Sequence, residues 1–482
     1  MAHHTHTDLS HEVTRMRPAG KALGPILMVG GIVAVLVAFF VSPKDSDDVG
    51  RRFWFAYLFG LAAITCVSGA SLIFTLVNHL VRSGWITNVR RILETFAVQI
   101  GLVLVLAIPL IVVTLGKHGT VYSWAKPSDT PIVHHGGAHE EAHDAEHDHA
   151  AHKDGDGHDH SKDEHAAETK PEAHGEAKHE EAGGIEYPNE QVQPGVTRPY
   201  DAIIAQKTHV WLNPSFWAVR VFAYLAVLTG IAYYYWSNSV KQDLTGDIDI
   251  NAKLSYRAGP LVLATGLIFT FIAFDVFMSL DPHWFSTMYG VYLFASGTQA
   301  MWALISLFVL TLQARGYLKQ SITQEHRHDL GKFLWAFIFF FGYIAFSQYM
   351  LQWYANLPEE TFFFDKRGYS QAHPNGYTPL VVALLFGRFV IPFLGLVSRH
   401  VKRNRFGLGF WAVWLLCFFV VDMYLLVIPE YSYTPVFGLP EILAFVGIVG
   451  LWFGNVIRVL GNHELRPVRD PRVHESLALQ NF

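Results

Sequence analysis

Long apolar stretches alternate with short polar ones along this chain. Ten of the apolar stretches reach about 20 residues, the length that an α-helix needs to cross a bilayer. A bilayer core holds no water for bare backbone groups, so each stretch is predicted to be a membrane-spanning helix. The ten predicted spans, numbered in chain order, are 23–41, 53–80, 92–116, 216–236, 258–280, 287–313, 333–357, 378–398, 406–428 and 439–457.

The composition favours the same fold class. Of the 482 residues, 51% are apolar and only 16% are charged, and the mean hydropathy is +0.24. An average soluble domain carries roughly 25% charged residues. The predicted fold is therefore an all-α integral membrane protein, not the two or three soluble domains that length alone suggests.

Lysine and arginine are divided unevenly between the two sides of the predicted membrane. The side of the N-terminus has 21 of them and the short loops of the opposite side have 5, leaving aside one long periplasmic loop at residues 117–213. Because cytoplasmic loops carry the excess of these residues, both termini are predicted to be cytoplasmic. Residues 1–22 and 462–482 are then tails, and the spans occupy 23–116 and 214–461. No cleavable signal peptide is visible, so the first span is expected to stay as an anchor.

Two aspartates and two arginines lie inside predicted spans. Asp275 is in span 5 and Asp422 in span 9, while Arg220 and Arg388 lie in the spans just before them. Counted from the outer helix ends, each arginine lies within about one helical turn of its aspartate in depth. Charges at membrane depth are costly unless paired, so they mark candidate functional sites. Two interpretations stay open: a site that handles protons or quinol, or a static ion pair that locks two helices.

The two Arg/Asp pairs are four spans apart and have the same orientation. This spacing predicts a parallel internal repeat, in which spans 2–5 form one four-helix bundle and spans 6–9 form a second. Spans 1 and 10 are predicted to be peripheral, with Gly450 and Gly454 spaced for close helix packing.

Further polar residues extend the proton-pathway hypothesis. Gln348 and Gln352 share one face of span 7, which favours a hydrated stripe, although single polar residues in spans usually bond neighbouring helices. His283, at an outer helix end, is either a proton acceptor near neutral pH or part of a helix stop with the adjacent proline and tryptophan. Glu94 lies near the cytoplasmic end of span 3. The pathway candidates are Asp275, Arg220, Asp422, Arg388, Gln348, Gln352, Tyr343, Glu94 and His283, and other polar residues in spans include Ser296 and Gln299.

The long loop contains a stretch, residues 134–181, that is rich in histidine, acidic residues, alanine and glycine. It has too few apolar residues for a core and is predicted to be disordered. Clustered histidines can bind zinc or copper, but no fixed ligand spacing is evident, which favours a solvated low-complexity insert. The weak metal candidates are His134, His135, His139, His143, His147 and His149.

The sequence gives no sign of a resident redox cofactor. Its two cysteines, Cys66 and Cys417, cannot hold a four-cysteine iron–sulfur cluster, and there is no C-x-x-C-H haem-attachment motif. The histidines in spans, His79 and His400, lie at helix ends, which disfavours a membrane haem b. No phosphate loop, Rossmann glycine pattern or H-E-x-x-H motif is present. If the protein serves redox chemistry, its electron carriers are therefore expected in other subunits.

Two sequence blocks resemble a known family. The first is FDVFMSLDPHWFSTMYG at residues 274–290, and the second is AFSQYM at 345–350, continuing as WYANLPEE at 353–360. They resemble the large membrane subunits of alternative complex III, which belong to the NrfD, or polysulfide-reductase membrane-subunit, superfamily. The second block is most similar to the ActF subunit. The resemblance covers spans 1 to 10 and leaves out the histidine-rich insert.

The resemblance implies a subunit of a quinol:cytochrome c oxidoreductase that replaces the cytochrome bc1 complex in some bacteria. Partner subunits would carry c-type haems and iron–sulfur clusters, and one partner would be a paralogous NrfD-like subunit. An ActF-like subunit would hold no cofactor, sit in the bacterial inner membrane, and contribute a proton pathway and anchoring. Three alternatives stay open: a purely structural anchor, a quinol-binding subunit, or a stand-alone transporter.

Overall fold

The computed structural model describes residue 9 and residues 11–43, 50–116, 119–125, 207–369 and 374–480. About 79% of this part of the chain is helical, and it contains no strand. Ten helices in it are long and apolar enough to cross a membrane, which confirms the predicted all-α membrane fold. Spans 1 to 10 are Pro18–Val41, Arg51–Leu80, Thr87–Leu115, Pro214–Thr245, Asp249–Leu280, Tyr289–Ala314, Gln324–Ala355, Thr378–Gly395, Arg405–Glu430 and Leu439–Asn462.

Several helices continue beyond their apolar stretch. Spans 5 and 7 each begin nine residues earlier than hydropathy predicts, at Asp249 and Gln324. Span 4 begins after Asn213, whose side chain accepts hydrogen bonds from the backbone N–H groups of Ser215 and Phe216. An asparagine at this position satisfies backbone donors that a helix start leaves unpaired. Hydropathy therefore locates the membrane part of each helix, and at span 4 the Asn213 cap sets where the helix begins.

The spans form two bundles that follow chain order. In the first bundle, span 2 packs against spans 3 and 5, and span 4 packs against spans 3 and 5. In the second, span 6 packs against spans 7 and 9, and span 8 packs against the same two. The predicted division into spans 2–5 and 6–9 is confirmed, and span 2 packs directly on span 6 between the bundles.

Spans 2 and 6 approach each other closely where Gly297 faces Cys66. A Cβ atom added at Gly297 would lie 2.3 Å from the backbone oxygen of Cys66. Small residues at such crossings let two helix backbones meet, which stabilises helix pairs in a membrane. This crossing fixes one bundle against the other.

Spans 1 and 10 pack together at the edge of the molecule, as predicted. A Cβ atom at Gly454 would lie 2.8 Å from the backbone oxygen of Gly24, and one at Gly447 would lie 2.9 Å from that of Gly31. The predicted Gly454 contact is thus confirmed. Gly450 makes only ordinary van der Waals contact, so the tight spacing is seven residues, from Gly447 to Gly454.

The described segments next to the two chain ends, residues 11–17 and 463–480, lie at the same end of the helix bundles, which we call the terminal face; the opposite end we call the loop face. Residues 463–480, the C-terminal segment, fold back over the helix ends at the terminal face. The backbone N–H of Leu465 donates to the oxygen of Thr14 at 2.8 Å, and Arg466 pairs with Glu12 at 3.0 Å. The C-terminal segment is therefore packed against the bundles by specific polar contacts.

Candidate functional site

Arg220 and Asp275 form a two-pronged ion pair between spans 4 and 5. Nε of Arg220 lies 3.0 Å from Oδ2 of Asp275, and Nη2 lies 2.9 Å from Oδ1. The third guanidinium nitrogen donates to the backbone oxygen of Trp211 at 2.8 Å, and the Trp211 indole donates to Asp275 Oδ1 at 2.9 Å. The aspartate is fully buried. The predicted pairing is confirmed, and every nitrogen of this guanidinium has a partner.

The backbone around Asp275 is also held by side chains. Residues Ala273–Phe277 form a single π-helical turn, which disturbs the regular pattern of helical hydrogen bonds. The Trp217 indole and the Ser279 hydroxyl each donate to the backbone oxygen of Asp275 at 2.6 Å. The Tyr122 hydroxyl donates to the next carbonyl oxygen at 2.9 Å. The first pair is therefore a closed clamp that joins spans 4 and 5 to the segment before span 4.

Arg388 and Asp422 form the second pair, between spans 8 and 9. Nη1 of Arg388 pairs with Oδ2 of Asp422, and Nε of Arg388 donates to Gln299 Oε1 at 2.7 Å. The Ser296 hydroxyl donates to Asp422 Oδ2 at 2.7 Å, and the Tyr292 hydroxyl donates to Oδ1. Both members of the pair are buried. This carboxylate faces two hydroxyl groups, and a hydroxyl both donates and accepts, which a proton relay requires.

The surroundings of the second pair contain polar atoms without a protein partner. Nε2 of Gln299 and Oε1 of Gln348 are buried and make no hydrogen bond to any described residue. Gln348 lies two helical turns along span 7 from Phe341, whose ring centroid is 3.9 Å from the Arg388 guanidinium carbon. Buried polar atoms of this kind are usually satisfied by ordered water. The second site therefore suits hydration, whereas the first is closed.

Charged groups continue from the second pair to the loop face. Glu430 follows Asp422 by eight residues in span 9, which is about 12 Å along a helix axis. Its carboxylate pairs with Lys366 at 2.7 Å and with Arg367 at 2.8 Å. Glu430 also lines a cavity of about 60 Å³, and His283 forms part of the same wall. The cavity lies between the ends of spans 5 and 9, where the two bundles adjoin.

The three polar residues predicted on span 7 do not lie together. Gln352 binds the loop after span 5: it accepts from the Trp284 indole at 3.1 Å and donates to the backbone oxygen of Phe285 at 3.2 Å. Gln348 shares its face and is buried. Tyr343 is 57% exposed on the outer surface of the helix, away from both glutamines.

Glu94 belongs to a buried charged network at the terminal face. Nε of Arg90 lies 2.9 Å from Glu94 Oε1, and Nε of Arg91 lies 4.0 Å from Oε2. The imidazole Nε2 of His79 faces Oε1 at 3.7 Å. Arg91 also pairs with Asp243 at the end of span 4. The network therefore joins spans 2, 3 and 4.

Asp470 of the C-terminal segment completes this network. Its Oδ2 lies 2.7 Å from Nη2 of Arg90, and its Oδ1 accepts from Asn251 at 3.1 Å and from the backbone N–H of Arg472 at 2.9 Å. Burial raises the pKa of this carboxyl, but Arg90 and the Arg472 N–H together outweigh burial, so the pKa lies below its ordinary value. Asp470 is therefore ionised at neutral pH.

Tyr292, Asp243 and Asp470 are among the site residues that were not identified from the sequence. Tyr292 precedes Ser296 and Gln299 by four and seven residues, so the three share one face of span 6, and this spacing is a signal that could have found it. Asp243 and Asp470 lie outside the apolar stretches. No periodicity marks them as partners of Arg91 and Arg90.

The histidine-rich stretch, including the metal candidates from His134 to His149, lies outside the described residues. Over the described ranges, no group of three or more histidine, cysteine, aspartate or glutamate side chains is arranged to hold a metal ion. The charged clusters among the described residues include the two Arg/Asp pairs, the ion pairs of Glu430 and the network at the terminal face.

Ten spans and buried charge pairs define a multi-pass helical membrane protein. No model of a known protein family matches the chain. No curated protein matches it either. What the sites can do chemically therefore rests on their own geometry.

Proposed function

We propose that this protein is a cofactor-free membrane subunit of a quinol:cytochrome c oxidoreductase of the alternative complex III type, similar to ActF. It contributes a proton pathway and anchors the complex. The basis is the two sequence blocks, at 274–290 and 345–360, together with buried charge pairs at matching positions in two bundles. The excess of lysine and arginine on one side supports cytoplasmic termini, and the resemblance implies the bacterial inner membrane.

The observation that carries the proposal is the environment of Asp422. Its carboxylate is bonded by the hydroxyls of Tyr292 and Ser296, and its charge is balanced by Arg388. A carboxylate with a cation beside it can take up and release a proton at a tolerable cost in a low-dielectric site. Glu430, eight residues further along span 9, extends the polar groups to the cavity at the loop face.

We expect Asp422→Asn to slow proton transfer through the assembled complex by about 100-fold, since a positioned acid–base group typically contributes at least this much. Asparagine keeps the size of the side chain and removes its ability to carry a proton. The measurement is proton release per quinol oxidised, followed with a pH-sensitive dye in vesicles that contain the complex.

Asp365→Asn is the matched control for this variant. Asp365 lies in the short helix Pro358–Lys366 at the loop face and belongs neither to the Arg/Asp pairs nor to the ion pairs of Glu430, so its replacement should leave proton release unchanged. Unaltered proton release in Asp422→Asn, with normal assembly, would rule out the proposed role of this carboxylate.

The first pair supports a second function, that of a structural clamp. Every guanidinium nitrogen of Arg220 has a partner, and the carboxylate of Asp275 is bonded by Arg220 and by Trp211. Arg388 is bonded at each guanidinium nitrogen as well. The difference lies in the donors to the carboxylate: Asp275 accepts only from N–H groups, which cannot relay a proton as the hydroxyls beside Asp422 can. We therefore propose that Arg220 and Asp275 anchor the first bundle, while Arg388 and Asp422 handle protons.

Purification from native membranes separates a complex subunit from a stand-alone transporter. We expect the tagged protein to be isolated with c-type haem proteins, an iron–sulfur protein and a paralogous NrfD-like subunit, because the sequence has neither a C-x-x-C-H haem-attachment motif nor four cysteines for an iron–sulfur cluster. The haem absorbance of the purified sample, normalised to this chain, is the measurement. Isolation in stable form without any haem-bearing partner would favour the transporter instead.

A further inference from the structure

The network at the terminal face contains more carboxylates than guanidinium groups in its buried part. Glu94 and Asp470 are almost fully buried, and the Asp243 side chain is 9% exposed. Arg90 and Arg91 are the buried cations that face them. With a neutral His79 these five groups sum to one negative charge, and the half-buried Arg472, whose backbone N–H donates to Asp470, brings the sum to zero.

The cations and anions at the rim of the network are more exposed. Arg472 is half-buried, and Arg82 and Glu475 are exposed to solvent. Solvent weakens the influence of such groups on a buried site.

His79 is the group of this network that is placed to take up a proton, and its ring packs against Tyr235 of span 4 with the ring centroids 5.2 Å apart. It is 1% exposed and its Nε2 faces Glu94 Oε1 at 3.7 Å, which favours the tautomer with hydrogen on Nε2. Its Nδ1 makes no hydrogen bond within the described part of the chain. The lone pair of Nδ1 accepts the incoming proton, and the resulting imidazolium faces the Glu94 carboxylate. No electron is transferred in this step.

The C-terminal segment covers the network from the terminal face. Asp470 holds Arg90, the backbone N–H of Val468 donates to Asp243 Oδ1 at 3.0 Å, and Arg469 donates to the backbone oxygen of Leu244 at 2.6 Å. Arg90 is consequently shared between Glu94 and Asp470. Loss of the Asp470 charge would leave Arg90 to act on Glu94 and His79 alone.

We propose that His79 and Glu94 form a proton-loading site at the terminal face, and that Asp470 is the positioning residue that sets its proton affinity through Arg90. This inference rests on the proposed function for its place in a pathway, since it supplies the entry that the Asp422 site requires. The site itself is defined by contacts within this chain.

The test is a pH titration of the full-length protein in detergent, followed by infrared difference spectroscopy with ring-labelled histidine. The signal of His79 is the one that disappears in His79→Gln. We expect Asp470→Asn to move the midpoint of this signal to lower pH by about one unit, because one negative charge leaves the network. Asp470→Glu should restore the original midpoint.

Asp249→Asn is the matched control, because Asp249 is exposed on the same face and lies outside the network. Melting temperature shows whether each variant is folded. An unchanged midpoint in folded Asp470→Asn would overturn the role of Asp470. If His79→Gln loses no signal from the titration, His79 does not take up a proton and the proposed site is wrong.

Failure of the proposed function gives a different result. In that case Asp422→Asn leaves proton release in the assembled complex unchanged, while the His79 signal still responds to Asp470→Asn. The two outcomes are therefore separable, because one is measured during quinol turnover and the other in the isolated chain.

Discussion

Arg220→Leu is expected to destabilise the protein by about 4 kcal/mol, the range found when one partner of a buried ion pair is removed. Asp275 is fully buried, and the variant would lose both guanidinium hydrogen bonds to its carboxylate. The backbone oxygen of Trp211 would lose its donor as well. The free energy of unfolding in mixed micelles, measured with increasing denaturing detergent, is the quantity to compare.

The double variant Arg220→Leu with Asp275→Leu separates a clamp from a proton site. Replacing both members of a buried pair by apolar residues removes the uncompensated charge, so we expect it to recover most of the lost stability. If the pair only joins helices, the double variant should also keep normal proton release in the assembled complex. If the double variant is folded but proton release stops, Asp275 has a role in transfer and the clamp assignment is wrong.

The same pair of changes at the second site should behave differently. Arg388→Leu with Asp422→Leu also removes opposite charges together, yet it eliminates the carboxylate that Tyr292 and Ser296 bond. We propose that stability is retained and proton release is lost. The contrast between the two double variants is more informative than either one, since both start from an Arg/Asp pair of equal net charge.

Hydropathy alone predicted the ten spans, because a bilayer forces every apolar stretch of sufficient length to become a helix. Depth in the membrane also predicted the two ion pairs, Arg220 with Asp275 and Arg388 with Asp422. Opposite charges buried at the same depth are stabilised when they pair. Both pairings are found in the structure. Their chemical roles stay predictions.

The depth of a residue in the membrane does not say which way its side chain faces. This limited how much of the rest of the site could be predicted. Tyr343 and Gln348 are five residues apart, which turns a helix by about 140°, so one faces outward and the other into the bundle. Applying the rotation to span 7 would have separated them. Tyr292 was missed for the related reason that a tyrosine near a helix end resembles an interfacial anchor.

Partners from distant segments could not be predicted at all. Asp470 contacts Arg90 from a C-terminal stretch that the sequence marks only as a polar tail. Nothing in the composition of this stretch predicts that it folds back over the helix ends. Long-range contacts of this kind depend on the packing of several helix ends together. The network around Glu94 is therefore a finding of the structure, although Glu94 itself was a candidate.

The crossing of spans 2 and 6 gives the second large effect: Gly297→Ala is expected to destabilise the protein by about 3 kcal/mol, the upper part of the range for overpacking. The new Cβ would lie 2.3 Å from the backbone oxygen of Cys66 and 2.6 Å from its carbonyl carbon. Backbone atoms cannot rotate away as a side chain can, so the helices must separate. Since this crossing joins the two bundles, we expect both to loosen together.

Gly266→Ala in span 5 is the matched control for this steric argument. No atom lies within 4 Å of a Cβ added there, so the substitution should be neutral or stabilise the helix by up to about 1 kcal/mol, the propensity difference between the two residues. Thermal unfolding and resistance to proteolysis in detergent compare the two variants directly. Equal stability of Gly297→Ala and Gly266→Ala would mean that the bundles can shift at this crossing without cost, and that the contact between Gly297 and Cys66 does not hold them together.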